Sequence, residues 1–194
     1  IYDKREIIQT FDDYEDLIRP LNFPPGAPGH GYIVKETGFG NVAVVNLMGR
    51  VFMQGFDCPF QTIDKHLDDI KKEADMVIVD FHTEATSEIT AMGFHLAGKV
   101  SAVFGTHTHV QTADTRILED HTAFMCDLGM CGPENGILGM KKDPIIRQFI
   151  TGLPSRKEPE TKAPFILNAL LLSIDPETGQ THQATPLYER YFEL

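Results

Sequence analysis

The sequence predicts an α/β sandwich built around a mixed β-sheet. Three short runs rich in β-branched and apolar residues, at 76–80, 100–104 and 122–126, have the composition of buried parallel strands. Segments with helical periodicity separate two of these runs from their neighbours. Near the end of the chain, two longer apolar runs flank the turn at 175–179, which is typical of an antiparallel hairpin. Strands that alternate with helices and then give way to a hairpin favour a sheet with both parallel and antiparallel pairs.

The other elements follow from periodicity and from turn residues. Apolar residues on one face predict a helix over 1–19, and a loop rich in Pro and Gly follows it from Pro20. A long loop is predicted over 49–59, before an amphipathic helix over 61–74. The remaining predictions are strands at 31–35, 41–47, 165–174 and 183–188, and helices at 87–96 and 144–151.

Length and charge limit the classes of function. The 194 residues are enough for one domain with a sizeable core, so we treat 1–194 as a single domain. The 28 acidic residues exceed the 17 basic ones, which gives a net charge of −11. We therefore expect no binding to nucleic-acid polymers, whose affinity depends on Lys and Arg contacts to phosphates. A small anionic substrate is compatible with this charge where metal ions supply local positive charge.

The cysteines and the first residues indicate a cytoplasmic protein. Three cysteines, Cys58, Cys126 and Cys131, are too few and too unevenly numbered for a disulfide framework, so we expect them to be packing residues. The chain opens with charged residues rather than with the apolar stretch of a secretory signal, and no run is long enough to cross a bilayer. Because residue 1 is Ile rather than Met, we expect the native start to lie upstream.

Histidines follow two of the predicted buried strands. His82 comes after the strand at 76–80, and His107 and His109 come after the strand at 100–104. Ligands of α/β sheets bind at the carboxyl ends of strands, and imidazole suits Zn, Fe, Mn or Ni. If the chain stays extended at His107 and His109, both rings point to the same side, and Gly105 permits close backbone approach. These three histidines are candidate metal ligands. Without such a context, we interpret as structural or surface residues the other five histidines, His30, His66, His95, His121 and His182.

Several short segments spread along the chain form a set of motifs. They read RPLNFPPGAPG at 19–29, NLMGRVF at 46–52, DFHTEATSE at 80–88, GTHTHVQTAD at 105–114, and DLGM with GP at 127–133. Together they resemble the YmdB group of bacterial calcineurin-like metallophosphoesterases, and the resemblance covers essentially the whole chain. Thr106 departs from the wider superfamily, which usually has His there, whereas the YmdB-like pattern accepts Thr.

The resemblance implies a metallophosphoesterase-like α/β sandwich with mixed β-sheets and two divalent metal ions. His82 and His107 would bind one ion and His109 the other, with Fe or Mn expected and Zn as an alternative. The family's remaining ligands are an Asp, a bridging Glu followed by Asn, and an Asn-His pair that includes the general acid. These would lie upstream of Ile1 with the first strands and helices. We therefore expect an N-terminally incomplete domain that is inactive alone, and we leave the catalytic residues unassigned.

The function that the resemblance implies is hydrolysis of a small cyclic nucleotide, either 2′,3′- or 3′,5′-cyclic, by a metal-bound hydroxide in a homo-oligomeric cytoplasmic enzyme. Two alternatives remain open from the residues themselves. One is an inactive domain that binds metal or a partner protein and acts as a regulator. The other is a mononuclear zinc hydrolase that holds its ion with three histidines and one water.

Acidic and aromatic residues near the histidines are candidates for supporting roles. A metal-bound His usually donates its other N–H to a carboxylate or carbonyl, so we expect Asp80 to orient an imidazole. We expect Glu84 and Asp114 to make loop hydrogen bonds, although either of them, like Asp80 and Asp127, could substitute for a missing metal ligand. In the loop at 49–59, Phe52 and Phe56 either cap a nucleobase or cover the core.

Overall fold

The computed structural model describes residues 6–193, apart from the side chain of Asp12. It contains four helices and nine strands within that range. In chain order these are α1 (Glu6–Asp13), β1 (Tyr32–Thr37), β2 (Gly40–Met48), α2 (Pro59–Glu73), β3 (Met76–His82), α3 (Thr86–Leu96), β4 (Ala102–Phe104), β5 (Arg116–Leu118), β6 (Thr122–Met125), β7 (Gly132–Pro133), α4 (Lys142–Thr151), β8 (Phe165–Ile174) and β9 (Thr181–Tyr191).

A six-stranded sheet with the order β1-β2-β3-β4-β6-β5 forms the centre of the molecule. Strands β2, β3, β4 and β6 pair in parallel, while β1 and β5 close the two edges in antiparallel fashion. A second sheet has the order β7-β8-β9 and is entirely antiparallel. The prediction of an α/β protein with a mixed sheet is therefore confirmed.

The core lies between the central sheet and its helices, and it aligns the strand ends. Val79 and Phe81 on β3 are fully buried, as are Ile63 and Ile70 on α2. Their spacing on α2 is that of a helix with one apolar face. Burial of both faces of β3 explains its nearly continuous apolar sequence. Because β2, β3 and β4 are packed in parallel register, their carboxyl ends form one edge, at which the predicted site lies.

Two element predictions need correction. The helix predicted over 1–19 is helical only over Glu6–Asp13 among the described residues, and residues 1–5 lie outside them. Acidic residues at its carboxyl end oppose the helix dipole, and no basic residue in the last turn offsets them. Strands β5 and β7 were not predicted, because runs of three and two residues are too short for periodicity to reveal.

The β8–β9 hairpin is attached to the central sheet at the amino end of β9. The backbone N–H of Thr181 donates to the carbonyl of His121 at 2.8 Å, and its hydroxyl donates to the carbonyl of Ser101 at 2.6 Å. Both carbonyls precede strands of the central sheet, so the two sheets are joined by direct hydrogen bonds. Across residues 6–193, no helix combines the length and the apolar character needed to cross a membrane.

Candidate metal centre

The adjacent ends of β3 and β4 bring two of the predicted ligands together. The register Asp80↔Phe104 places the residues after both strands at the same edge of the sheet. His107 Nδ1 lies 3.4 Å from His82 Nε2, and the two ring centroids are 5.2 Å apart with an interplanar angle of 83°. Both rings are half-buried. The sequence prediction that these strands deliver imidazoles to one place is consistent with this geometry.

The distance between the two nitrogens suits a shared ion. Two nitrogen ligands, each about 2.1 Å from a tetrahedral ion, lie about 3.4 Å from one another. Within the described part of the chain, however, no group of three His, Cys, Asp or Glu side chains is arranged to hold a metal ion. The described residues thus offer a pair of imidazoles that fits one ion, and a bound ion would need further donors.

Thr106 connects Asp80 to His82. The hydroxyl of Thr106 donates to Asp80 Oδ1 at 3.1 Å and lies 3.3 Å from His82 Nδ1. Since a hydroxyl has a single hydrogen, Thr106 accepts the hydrogen on Nδ1 while it donates to Asp80. His82 Nε2 then keeps its lone pair, which is free to face a cation. Asp80 acts on His82 through Thr106 rather than by the direct contact that the sequence suggested.

Burial controls the ionisation of this pair. Burial, and then the charge of His107, lower the pKa of His82, while the carboxylates of Asp80 and Asp127 oppose that shift. A lowered pKa favours the neutral imidazole, which is the form that binds metal. Burial also raises the pKa of the Asp80 carboxyl, against the hydrogen bonds that it accepts from Thr106 and from Asn46, the latter at 2.8 Å.

His109 is placed differently from the expectation. Strand β4 ends at Phe104, the chain bends over residues 107–110, and His109 has a φ of 62° in the left-handed region. The assumption of an extended chain through His107 and His109 is therefore wrong, and strand alternation does not set the direction of the two rings. His109 is exposed, and its charge contributes to the lowered pKa of His82, so the ring lies within electrostatic reach of the pair.

A buried carboxylate that follows β6 holds the histidine loop. Asp127 is 1% exposed, and its two oxygens accept the backbone N–H groups of Thr108 and Gly129. Thr108 lies between the two histidines, so Asp127 positions the segment that carries them. At the start of the same loop, a Cβ on Gly105 would lie 2.2 Å from the carbonyl oxygen of Cys126, which is the close approach predicted for this glycine.

Gln111 attaches the histidine loop to the second sheet. Its Nε2 lies 3.4 Å from the carbonyl oxygen of Leu128, 3.2 Å from that of Ala169 and 3.1 Å from that of Leu187. Ala169 lies on β8 and Leu187 on β9, so a single amide joins the loop to both strands of the hairpin. The loop therefore has anchors on two sides.

The other candidate residues have mixed positions. Asp114 Oδ1 accepts the N–H of Cys126 at 3.2 Å, in agreement with the loop role expected for it. Glu84 and Phe52 are exposed. Sequence reasoning missed Glu88, whose buried carboxylate accepts hydrogen bonds from a neighbouring loop. It gave no signal because an acidic residue in the first turn of a helix is common for reasons of capping and dipole alone.

The fold and the paired histidines define a metallophosphoesterase-like α/β protein. A crystal structure described as a novel phosphatase from Mycoplasma pneumoniae superposes with a TM-score of 0.83 at 31% identity, over 97% of this chain and 68% of that one. A hypothetical protein from Thermus thermophilus gives 0.86 at 35% identity, over 97% and 73%. The predicted fold is thereby confirmed. The family model described as YmdB-like protein matches residues 1–187, and this chain belongs to that family.

A named relative supports the prediction of a hydrolase. A protein of Bacillus subtilis (strain 168) named 2′,3′-cyclic-nucleotide 2′-phosphodiesterase is 44% identical over 177 residues, which are 91% of this chain and 67% of the relative. The chain spans between 50% and 67% of the length of the curated relatives that it matches.

Proposed function

We propose that this protein is a metal-dependent phosphodiesterase that hydrolyses cyclic nucleotides. The observation that carries the proposal is the His82–His107 nitrogen pair, 3.4 Å apart at the carboxyl edge of the sheet. The name of the B. subtilis relative supports 2′,3′-cyclic nucleotides as the first substrate class to test, with 3′,5′-cyclic nucleotides as the second. The chain's net charge of −11 would repel a phosphodiester, so local positive charge has to come from bound ions.

In this proposal, His82 and His107 hold one divalent ion and His109 contributes to a second, with Fe or Mn preferred and Zn as an alternative. Such ions would supply Lewis acidity and positive charge for the scissile phosphate. The hydrogen bonds of Asp80 and Thr106 keep His82 in the tautomer that presents Nε2. We place the remaining ligands and the general acid in the part of the relatives' length that this chain does not span. The isolated 194-residue chain is then inactive.

The test uses the full-length protein supplied with Mn²⁺ and 2′,3′-cyclic AMP. His107→Ala should lower turnover by at least about 100-fold, because a two-metal site supplies several kcal/mol of charge stabilisation. His182→Ala changes an exposed histidine of β9 and serves as the matched control. Metal analysis should give two ions per chain. One ion per chain would favour the mononuclear hydrolase, and bound metal without turnover would favour the regulatory domain.

We also propose that the protein is a cytoplasmic homo-oligomer. The cytoplasmic location rests on its unpaired cysteines and its charged first residues. Four apolar residues with helical spacing face solvent on α4 and just beyond it, namely Ile146, Phe149, Ile150 and Leu153. The segment 141–157 has a net charge of +4 and the rest of the chain −15, so a second copy offers a complementary surface. Light scattering should show a smaller particle for Phe149→Ser than for the wild type.

A further inference from the structure

A buried carboxylate organises the loop that follows β2. Glu88, in the first turn of α3, is 9% exposed. Its Oε1 accepts the N–H of Arg50 at 2.9 Å, and its Oε2 accepts the N–H of Val51 at 3.2 Å and the hydroxyl of Thr83 at 2.6 Å. An unpaired buried carboxylate is strongly unfavourable, so this set of donors makes the position of Glu88 and the path of the loop depend on each other.

The loop held by Glu88 begins beside the histidine pair. Met48, the last residue of β2, pairs with His82, and the N–H of Gly49 donates to the carbonyl of His82 at 2.8 Å. Gly49 has no room for a side chain, because a Cβ there would lie 2.3 Å from Thr83 Oγ1 and 2.5 Å from Glu88 Oε2. The chain is therefore closely packed from His82 as far as the residues that Glu88 anchors.

The residue that follows these anchors projects into solvent. Phe52 is 85% exposed and has a φ of 64°, a conformation that bulky side chains rarely adopt. Its exposure rules out the alternative that Phe52 covers the core. Phe56 of the same loop behaves differently, since it packs edge-to-face on Phe23 with ring centroids 5.1 Å apart. The loop thus presents one aromatic ring in a strained backbone that is fixed next to the candidate metal centre.

We propose that Phe52 determines substrate specificity by stacking on the nucleobase, and that Glu88 is the positioning residue that holds it there. This inference rests on the proposed function and adds a binding site for the base. Every base has a π-face, so a single exposed ring recognises a nucleotide without strict base identity. Stacking of one base on an aromatic side chain corresponds to about 5- to 150-fold in affinity.

The experiment separates base recognition from phosphate chemistry in the full-length, metal-loaded protein. Phe52→Ala should raise KM for 2′,3′-cyclic AMP by about 5- to 150-fold with little change in kcat. It should leave hydrolysis of bis(p-nitrophenyl) phosphate, which has no nucleobase, unchanged. Phe52→Trp should restore the low KM. Phe39→Ala is the matched control, because Phe39 is 81% exposed at the start of β2, on the opposite edge of the sheet.

Glu88→Gln should raise KM in the same direction as Phe52→Ala while bound metal stays constant. The double variant should be no worse than Phe52→Ala alone, since both changes remove one interaction. Additive effects, or an equal rise with the substrate that has no base, would overturn the proposal. If Glu88→Gln does not fold, Thr83→Val weakens the same cluster by one hydrogen bond.

Failure of the proposed function gives a different pattern, in which the wild type hydrolyses neither diester. Calorimetric titration of 2′,3′-cyclic AMP into the wild type and Phe52→Ala then decides the stacking role by itself. Binding that is equal in both proteins, or absent from both, would reject it.

Discussion

The loop after β2 and the loop after β4 leave the same edge of the sheet, and each meets a buried carboxylate. Glu88 accepts the N–H groups of Arg50 and Val51, and Asp127 accepts those of Thr108 and Gly129. The two loops differ in what they carry. The first presents an exposed aromatic side chain, and the second presents imidazoles.

The comparison shows that acidic residues near a candidate metal site need not be ligands. A carboxylate whose oxygens are both engaged by backbone N–H groups would have to leave those donors unpaired in order to bind an ion. A buried unpaired donor costs about 1–3 kcal/mol. Asp127 therefore serves loop geometry rather than metal binding, which is a role the sequence did not reveal.

The largest expected effect separates the two carboxylates. Asp127→Ala leaves the N–H groups of Thr108 and Gly129 without acceptors, so the unfolding free energy should fall by about 2–4 kcal/mol, and metal binding should be lost as the histidine loop moves. Glu88→Ala should be similarly destabilised but should retain its metal. Urea unfolding and metal analysis of both variants test this. Equal metal content in the two proteins would mean that the loops are not specialised as described.

A smaller effect is expected at the glycine that begins each loop. A methyl group at Gly105 meets the backbone carbonyl of Cys126, whereas one at Gly49 meets the side chains of Thr83 and Glu88. Overpacking typically costs about 1–3 kcal/mol, and side chains yield more easily than backbone. Gly105→Ala should therefore lower the unfolding free energy more than Gly49→Ala does. The reverse order in urea unfolding would show that the loop after β2 is the more rigidly packed one.

The smallest effect is one of reactivity without loss of function. Burial and Asp114 raise the pKa of Cys126, which lies beside Gly105 at the base of the histidine loop, to about 11. At about pH 8 its thiol is almost entirely protonated, and only the thiolate reacts, so iodoacetamide should modify exposed Cys131 well before Cys126. Peptide mass spectrometry over time gives the order. Rapid labelling of Cys126 would indicate that the loop after β4 opens readily.

Local sequence features were enough to predict the parallel strands and their terminal histidines. Runs such as 76–80 are apolar because both faces are buried, and Gly105 is small because Cys126 lies against it. Contacts between distant residues left no such trace. Asp127 is 19 positions from Thr108, and Glu88 is 38 from Arg50, so nothing next to either acid reveals its partner. The left-handed conformation of His109 was missed because it depends on how the whole loop is anchored.

The contacts of Gln111 have a consequence for how this protein can vary. Its amide meets the hairpin only through the carbonyl oxygens of Ala169 and Leu187, which any amino acid would present equally well. Side chains at those two positions can change through drift without loosening the histidine loop. An inserted or deleted residue in β8 or β9 shifts the register and withdraws an acceptor. In this part of the chain, selection on the remote site acts on strand length and leaves residue identity free.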